Sequence, residues 1–362
     1  MKTLFVAEFL CGGGMFDTPV ERIPKSLFCE GAAMWRALID DLSAWGNVVT
    51  PIDPRLSLTL PNRNVTAVPM PLDALPWHDW IDAAKRSDAA VLIVPETDHL
   101  LIQAVTQLRA AGIEVLAVSN AALRLTSDKW QTAKWLHREG IPHPETWAIE
   151  PDSHLPVRSH PRSTLARLVT DGFVVKPRDG CGALDMRSYT DLDQALRSMS
   201  PHEITQRWVV GQPASVSIVA CQADHCCTFL PAVWQNIRSN HDEMAESCLS
   251  YQGGSGPVSH EFQLRAQALA TRVIESMPGK PAGFVGMDWI AGNDPAQDCV
   301  IEINPRLTTS YVGIRRMVSE NITQRLFAIQ NHPIALDVQC ESITWDINSM
   351  APSQEVDDCF GP

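Results

Sequence analysis

Lysine is scarce in this chain: seven lysines stand against 22 arginines, and all 29 cations face 42 acidic residues, for a formal net charge of −13. A nucleic-acid binder needs a basic footprint, and an anionic membrane attracts basic segments, so neither is an expected partner. The ten cysteines include no C-x-x-C pair, and Cys226-Cys227 beside His225 lacks a second half at zinc-ligand spacing. A chain of 362 residues needs no disulfide framework, so reduced thiols in a cytoplasmic protein are expected. No apolar run nears the ~18–20 residues of a membrane helix. Glu8 interrupts the apolar N-terminus, and Leu10 stands where a cleaved lipoprotein leader wants a small residue before Cys11, which argues against export. There is no P-loop motif, and Gly12-Gly13-Gly14 does not continue as G-x-G-x-x-G, which argues against a dinucleotide-dependent oxidoreductase.

What is present describes a globular protein of two or three domains, 45% hydrophobic and 20% charged. Apolar strands are expected at 3–7, 89–94 and 115–118, with helical spacing over 26–45 and up to Ala111. This alternation predicts an open α/β domain over 1–120. The proline-rich stretch 51–76 reads as a long excursion between elements, and 151–165 as a surface loop. Ser127 and Asp128 can cap a helix that runs to about Glu139 and stops at Gly140. Further strands are expected at 173–176, 216–219, 229–233, 284–290 and 299–303, with helices over 191–200 and 261–277. A loose Gly/Ser loop is expected at 252–259, and the tail after 335 is weakly patterned.

Three features carry chemistry. In Glu302-Ile303-Asn304-Pro305-Arg306, strand alternation puts Glu302 and Asn304 on one face and Ile301 and Ile303 on the other. Two oxygen donors with an arginine just beyond can hold Mg²⁺ and a phosphate together, although any half-exposed strand shows the same alternation. Asp288 interrupts a strand of large apolar residues, where a carboxylate is unfavourable unless paired or metal-bound; if the two strands are neighbours, Asp288, Glu302 and Asn304 converge. Lys176 ends an apolar strand and opens a loop whose Gly180 and Gly182 allow backbone N–H groups to approach a phosphate. Lys129 sits in the first turn of a helix, where a cation opposes the helix dipole and propensity does not explain it.

In this order, Ser127-Asp128-Lys129, the segment from Val174 to Ala183, Gln206-Arg207-Trp208-Val209-Val210-Gly211, Gly286-Met287-Asp288 and the run from Glu302 to Ser310 resemble the ATP-grasp superfamily of carboxylate–amine ligases. The resemblance covers 120–330, and the stretch EINPRLTTSYVG looks most like the tyramine–glutamate ligase branch of methanofuran biosynthesis. It implies an N-terminal pre-ATP-grasp α/β domain (1–120), a central lobe (121–205), a C-terminal lobe with the metal site (206–335) and a tail (336–362), with ATP between the two α+β lobes. By position, Lys129 and Lys176 would contact the α- and β-phosphates, and the loop around Gly180 and Gly182 would cover them. Gln206, Arg207, Trp208 and Val209 would offer backbone groups to adenine, and Ile301 would underlie the ring unless it is simply a core residue. Asp288, Glu302 and Asn304 would bind two Mg²⁺ (or Mn²⁺) ions, and Arg306 would steady the transferred phosphoryl group or an acyl phosphate. Many members place a ribose-binding glutamate two residues after the hinge glycine, where this chain has Pro213.

The implied reaction joins a carboxylate, glutamate by resemblance, to an amine such as tyramine through an acyl phosphate. The turn 12–14, the segment 251–256 and residues 308–311 are the expected substrate surface, and Arg306, Arg315 and Arg316 can hold carboxylates. Two alternatives stand beside this reading: a catalytically silent nucleotide-binding regulator, and an ATP-grasp ligase for another amino acid or peptide. Family analogy leaves homo-oligomerisation open.

Overall fold

β1 (Thr3–Glu8) sends Phe5 and Ala7 to one side and Leu4 and Val6 to the other, and all four are fully buried. A strand covered on both faces belongs inside a parallel sheet with helices on each side. In this computed structural model, which describes residues 1–61, 64–150, 155–159, 168–180, 185–239, 249–327, 336–338 and 342–347, that is where it lies. The chain continues through α1 (Lys25–Ser43), β2 (Asn47–Ile52), β3 (Val65–Pro69), α2 (Trp77–Ala84), β4 (Ala89–Ile93) and α3 (Leu100–Ala110). The strands form a parallel sheet in the order β3-β2-β1-β4. Leu4 and Val6 pack in one cluster with α1; Phe5 and Ala7 pack in another with Trp77, Trp80, Leu101 and Val105 of α2 and α3.

The helices α4 (Asn120–Thr126) and α5 (Lys129–Arg138) lead into an antiparallel sheet of five strands, ordered β6-β5-β9-β7-β8. Its strands are β5 (Thr146–Ile149), β6 (Pro156–Arg158), β7 (Thr170–Pro177), β8 (Arg187–Tyr189) and β9 (Glu203–Val209). The helix α6 (Leu192–Ser198), capped by Asp191, covers it, and together they enclose a small core of Trp147, Phe173, Val175, Ala195 and Met199. A larger antiparallel sheet follows, with β10 (Gln212–Ala220), β11 (Cys227–Phe229), β12 (Val233–Ser239), β13 (Leu249–Gly256), β14 (Gly283–Ala291), β15 (Cys299–Asn304) and β16 (Ile343–Asp346). It runs β15-β14-β10-β12-β13-β16, with β11 on β10, and carries α7 (His260–Ser276) and α8 (Tyr311–Ile314). Its apolar residues Val216, Val285, Met287 and Trp289 share a core cluster with the N-terminal parallel sheet.

Several elements differ from the sequence expectation. The stretch 51–76 contains the end of β2 and all of β3 rather than one irregular excursion; Pro51 lies beyond residues 47–49, which pair with β1, so its missing N–H takes nothing from that ladder. Residues 115–118 do not form a strand: Val115 makes a single bridge to Ala90, and the Arg109 guanidinium takes the carbonyls of Val115, Ala117 and Val118 that a neighbouring strand would have taken. Residues 156–158, read as loop, form β6, and 229–233 is split between β11 and β12. Most of the expected Gly/Ser loop is β13. A Cβ on Gly254 would lie 2.5 Å from the Trp234 carbonyl oxygen and 2.6 Å from the Trp345 ring, so glycine there permits close strand and side-chain approach. The weakly patterned tail contributes β16, which pairs with β13. Among the described residues no helix is long and apolar enough to cross a membrane.

Candidate active site

The register of β14 against β15 sets Asp288 opposite Glu302 and Gly286 opposite Asn304, so the three polar residues share one face. Asn304 Nδ2 donates to Asp288 Oδ2 at 3.0 Å, and Gln235 Nε2, from β12, donates to Oδ1 at 2.9 Å. A β-bulge follows: Trp289 pairs with Val300, which leaves Ile301 out of register. Ile301 is half-buried, whereas Val300 and Ile303 lie in the core, so the two isoleucines are not equivalent.

Two lysines from the central region meet this face. Lys129 Nζ lies 2.9 Å from Glu302 Oε1 and also donates to the Gly180 carbonyl. Lys176, on β7, is 4% exposed. Lys129 is placed by the cap of its own helix: Asp128 accepts from the Trp130 and Gln131 N–H groups at 2.8 and 3.2 Å and also holds Arg178 Nη2 at 2.6 Å. Arg178 returns its carbonyl to the Lys129 N–H at 2.8 Å, which ties the helix start to the loop after β7. A lysine that is unfavourable for the helix dipole is thus held on a carboxylate instead. Gly180 is at the described edge of that loop; Gly182, with Cys181 and Ala183, lies outside the described residues.

The charges of these groups are coupled. Burial, with the charge of Glu302, pushes Asp288 up to about 6. Burial also raises Glu302, but Lys129, Lys176 and Arg306 outweigh it and hold that carboxyl below its ordinary value. Burial pushes Lys176 down to about 8, with Lys129 adding to the effect and Glu302 and Asp288 opposing it. A buried carboxylate raised by a neighbouring one calls for a cation beside it, and a buried lysine depressed by a neighbouring one calls for an anion. No three His, Cys, Asp or Glu side chains cluster as a metal site among the described residues. The donor set is two carboxylates and an amide, which fits Mg²⁺, a hard ion that binds few protein oxygens and keeps water.

The expected adenine segment lies in β9. Gln206 pairs with both Thr146 and Val174 in the middle of the five-stranded sheet, and the Arg207 N–H donates to the Glu145 carbonyl. The Arg207 side chain is committed to Glu145 as well, with Nε 2.6 Å from Oε2. Val209 pairs with Thr170, and Trp208 faces the register shift in β7 between Thr170 and Phe173. Pro213 lies on β10 opposite Ile290.

Of the three arginines, two are occupied. Arg306 forms a two-pronged pair with Glu96, both contacts 2.9 Å, and the partners are only 10% and 4% exposed. Arg315 binds Asp41 of α1 through Nε at 2.9 Å, and Tyr311 donates to the same carboxylate, so it fastens α8 to α1 rather than awaiting a substrate carboxylate. Arg316 is exposed. Sequence reasoning missed Glu96 and Gln235. Glu96 had a signal, because it follows the most apolar strand of a parallel sheet, where such sheets place polar site residues; Gln235 had none. Glu96→Ala leaves Arg306 buried without its partner and is expected to lower stability by about 3–5 kcal/mol, read as a fall in the thermal midpoint.

Residues 126–310, just over half of the chain, match the ATP-grasp domain family, and residues 47–123 match the pre ATP-grasp 3 domain. The tyramine–L-glutamate ligase of Methanocaldococcus jannaschii is 22% identical over 232 residues, 64% of this chain and 60% of the relative, so the match spans less than two thirds of that relative. Among solved structures, an ATP-grasp superfamily protein from Archaeoglobus fulgidus has a TM-score of 0.65 at 24% identity, covering 90% of this chain and 88% of the other. The L-amino acid ligase of Bacillus licheniformis has a TM-score of 0.57 at 15% identity, covering 90% and 73%.

Proposed function

The chain belongs to the ATP-grasp family, and on that premise we propose that it is an ATP- and Mg²⁺-dependent carboxylate–amine ligase that forms an amide and releases ADP and phosphate. The observation that carries this reading is the meeting of Lys129 and Lys176 with Asp288, Glu302 and Asn304 across elements far apart in sequence. A carboxylate is a poor electrophile. Transfer of the γ-phosphoryl group gives it a leaving group, and an amine then displaces phosphate. Phosphoryl transfer depends on alignment and charge neutralisation, which a pair of lysines above an acidic strand face is built to provide.

Lys129 and Lys176 hold the phosphates, with Lys129 fixed beside the Gly180 carbonyl. Asp288, Glu302 and Asn304 would hold two Mg²⁺ or Mn²⁺ ions, which supply charge neutralisation at the phosphates. Gln235 fixes the orientation of the Asp288 carboxylate through its 2.9 Å bond. Arg306, held by Glu96, projects a fixed positive charge beside Glu302 for the acyl phosphate. Trp208, Val209 and Ile301 are the adenine contacts of this reading. The names of the curated relatives, and the run from Glu302 to Gly313, favour glutamate as the acid and tyramine as the amine.

The test is product formation from ATP and Mg²⁺ with glutamate crossed against tyramine, tyrosine and other amines. The expected result is ADP and a new amide only when acid and amine are both present. Tight ATP binding without ADP for any pair would favour a nucleotide-binding regulator instead.

A further inference from the structure

The turn at 96–99, which follows β4 of the N-terminal parallel sheet, reaches across to the loop after β7. The Asp98 N–H donates to Asp179 Oδ2 at 2.9 Å, and the Thr97 hydroxyl lies 3.5 Å from the Asp179 carbonyl oxygen. Asp98 and His99 both have left-handed backbone, with φ of +51° and +62°. Two such residues in succession, neither of them glycine, persist only where their surroundings hold them. Here the His99 N–H donates to the Glu96 carbonyl at 3.1 Å, and the Leu101 N–H to the Pro95 carbonyl at 3.1 Å. Glu96 itself is fixed by its two-pronged pair with Arg306. Asp179 therefore meets a turn that is tied down on both sides.

On the other side of the contact, three consecutive residues bear on Lys129. Arg178 gives its side chain to Asp128, the cap of the Lys129 helix, and its carbonyl to the Lys129 N–H. Gly180 gives its carbonyl to Lys129 Nζ. Asp179, between them, gives its carboxylate to the turn at 96–99. The peptide that orients Lys129 at both its backbone and its ammonium is thus fastened through Asp179 to the N-terminal sheet. Lys129 Nζ lies 2.9 Å from Glu302 Oε1, and Arg306 stands close enough to lower the same carboxyl. Two of the cations around Glu302 are therefore held from one turn, Arg306 through Glu96 and Lys129 through Asp179.

We propose that Asp179 is a positioning residue for the nucleotide: by fastening residues 178–180 to the turn at 96–99, it holds Lys129 in place for the phosphates. This rests on the assignment of Lys129 to the phosphates in the ligase reading above. The sign of the effect separates positioning from simple charge. An anionic side chain beside an anion site weakens anion binding by repulsion, so on charge alone its removal should tighten the nucleotide. Loss of the Asp98 contact instead releases the 178–180 peptide and Lys129 with it, so its removal should weaken the nucleotide. The contact needs an oxygen but not a charge, so asparagine should serve in place of aspartate.

The test is a double-mutant cycle in the full-length chain, read by calorimetry as the dissociation constant of a non-hydrolysable ATP analogue with Mg²⁺. Asp179→Ala is expected to weaken binding roughly 10-fold in the wild-type background, with the thermal midpoint unchanged. In a Lys129→Met background the same change should have less than about a twofold effect, because the residue it acts through is gone. Asp179→Asn should recover most of the loss. Unchanged or tighter binding in Asp179→Ala would overturn the proposal. So would an equal loss in both backgrounds, which is the mark of a general structural role. A wild-type protein that binds no nucleotide would overturn this inference and the ligase reading together. The expected cycle in a protein that forms no amide from any acid and amine would uphold Asp179 and fail the ligase reading alone.

Discussion

Lys176→Met is expected to lose ATP-dependent turnover by at least about 10²–10³-fold while the unliganded protein becomes more stable at neutral pH. The lysine is 4% exposed and, on the function proposed above, would hold a phosphate. Burial, reinforced by Lys129, holds its ammonium at about 8, below the ordinary 10.5. The unfolded chain therefore binds more protons between those values, and wild-type stability rises with pH through that window. Below it the charged lysine is a net burden on the fold, which methionine removes at similar shape. Turnover and thermal midpoint, measured on the same preparation, should move in opposite directions. A variant that is merely misfolded would lose both.

Asp288→Asn should behave likewise for the opposite charge. Burial and the charge of Glu302 raise the Asp288 carboxyl to about 6 from 3.8. A raised carboxyl binds protons in the folded state first, so its contribution to stability is lost as pH rises through that window. At pH 7 asparagine is expected to stabilise the unliganded fold by on the order of 1–2 kcal/mol, after allowance for partial solvent access. Gln235 can turn its amide to keep the contact. The gain should vanish near pH 4, where aspartate is also protonated. Activity should fall by roughly 10²-fold or more, because the strand face loses one of its two carboxylates. Thermal melts at pH 4 and pH 7 separate this from ordinary packing effects, which do not depend on pH.

Both predictions turn on charges that burial holds away from their ordinary values. Lys129 and Glu302 neutralise each other across 2.9 Å, yet neither Lys176 nor Asp288 is at its ordinary protonation equilibrium. On the function proposed above, a nucleotide carrying its metal would satisfy all four groups at once.

Much of this was readable before folding. Alternation in Glu302-Ile303-Asn304 put two donors on one face, and the intrusive Asp288 marked the neighbouring strand; the observed register joins them. Asp128 and Lys129 announced a helix start, and the cap hydrogen bonds are there. What sequence left out was partnership at long range. Nothing local assigns Arg306 to Glu96, 210 residues earlier, or Arg315 to Asp41. The bulge that displaces Ile301 leaves no mark in an alternating run, and Gly253-Gly254 reads as loop although the facing Trp345 demands glycine in a strand. The position of Glu96 becomes meaningful only when the strand order of the first sheet is known.

The most direct measurement follows oxygen from the acid substrate. Glutamate labelled with heavy oxygen in its carboxylates, incubated with ATP, Mg²⁺ and the accepted amine, should deliver one labelled oxygen to each inorganic phosphate released alongside ADP. Phosphate free of label, or AMP and pyrophosphate in place of ADP and phosphate, would contradict ligation through an acyl phosphate.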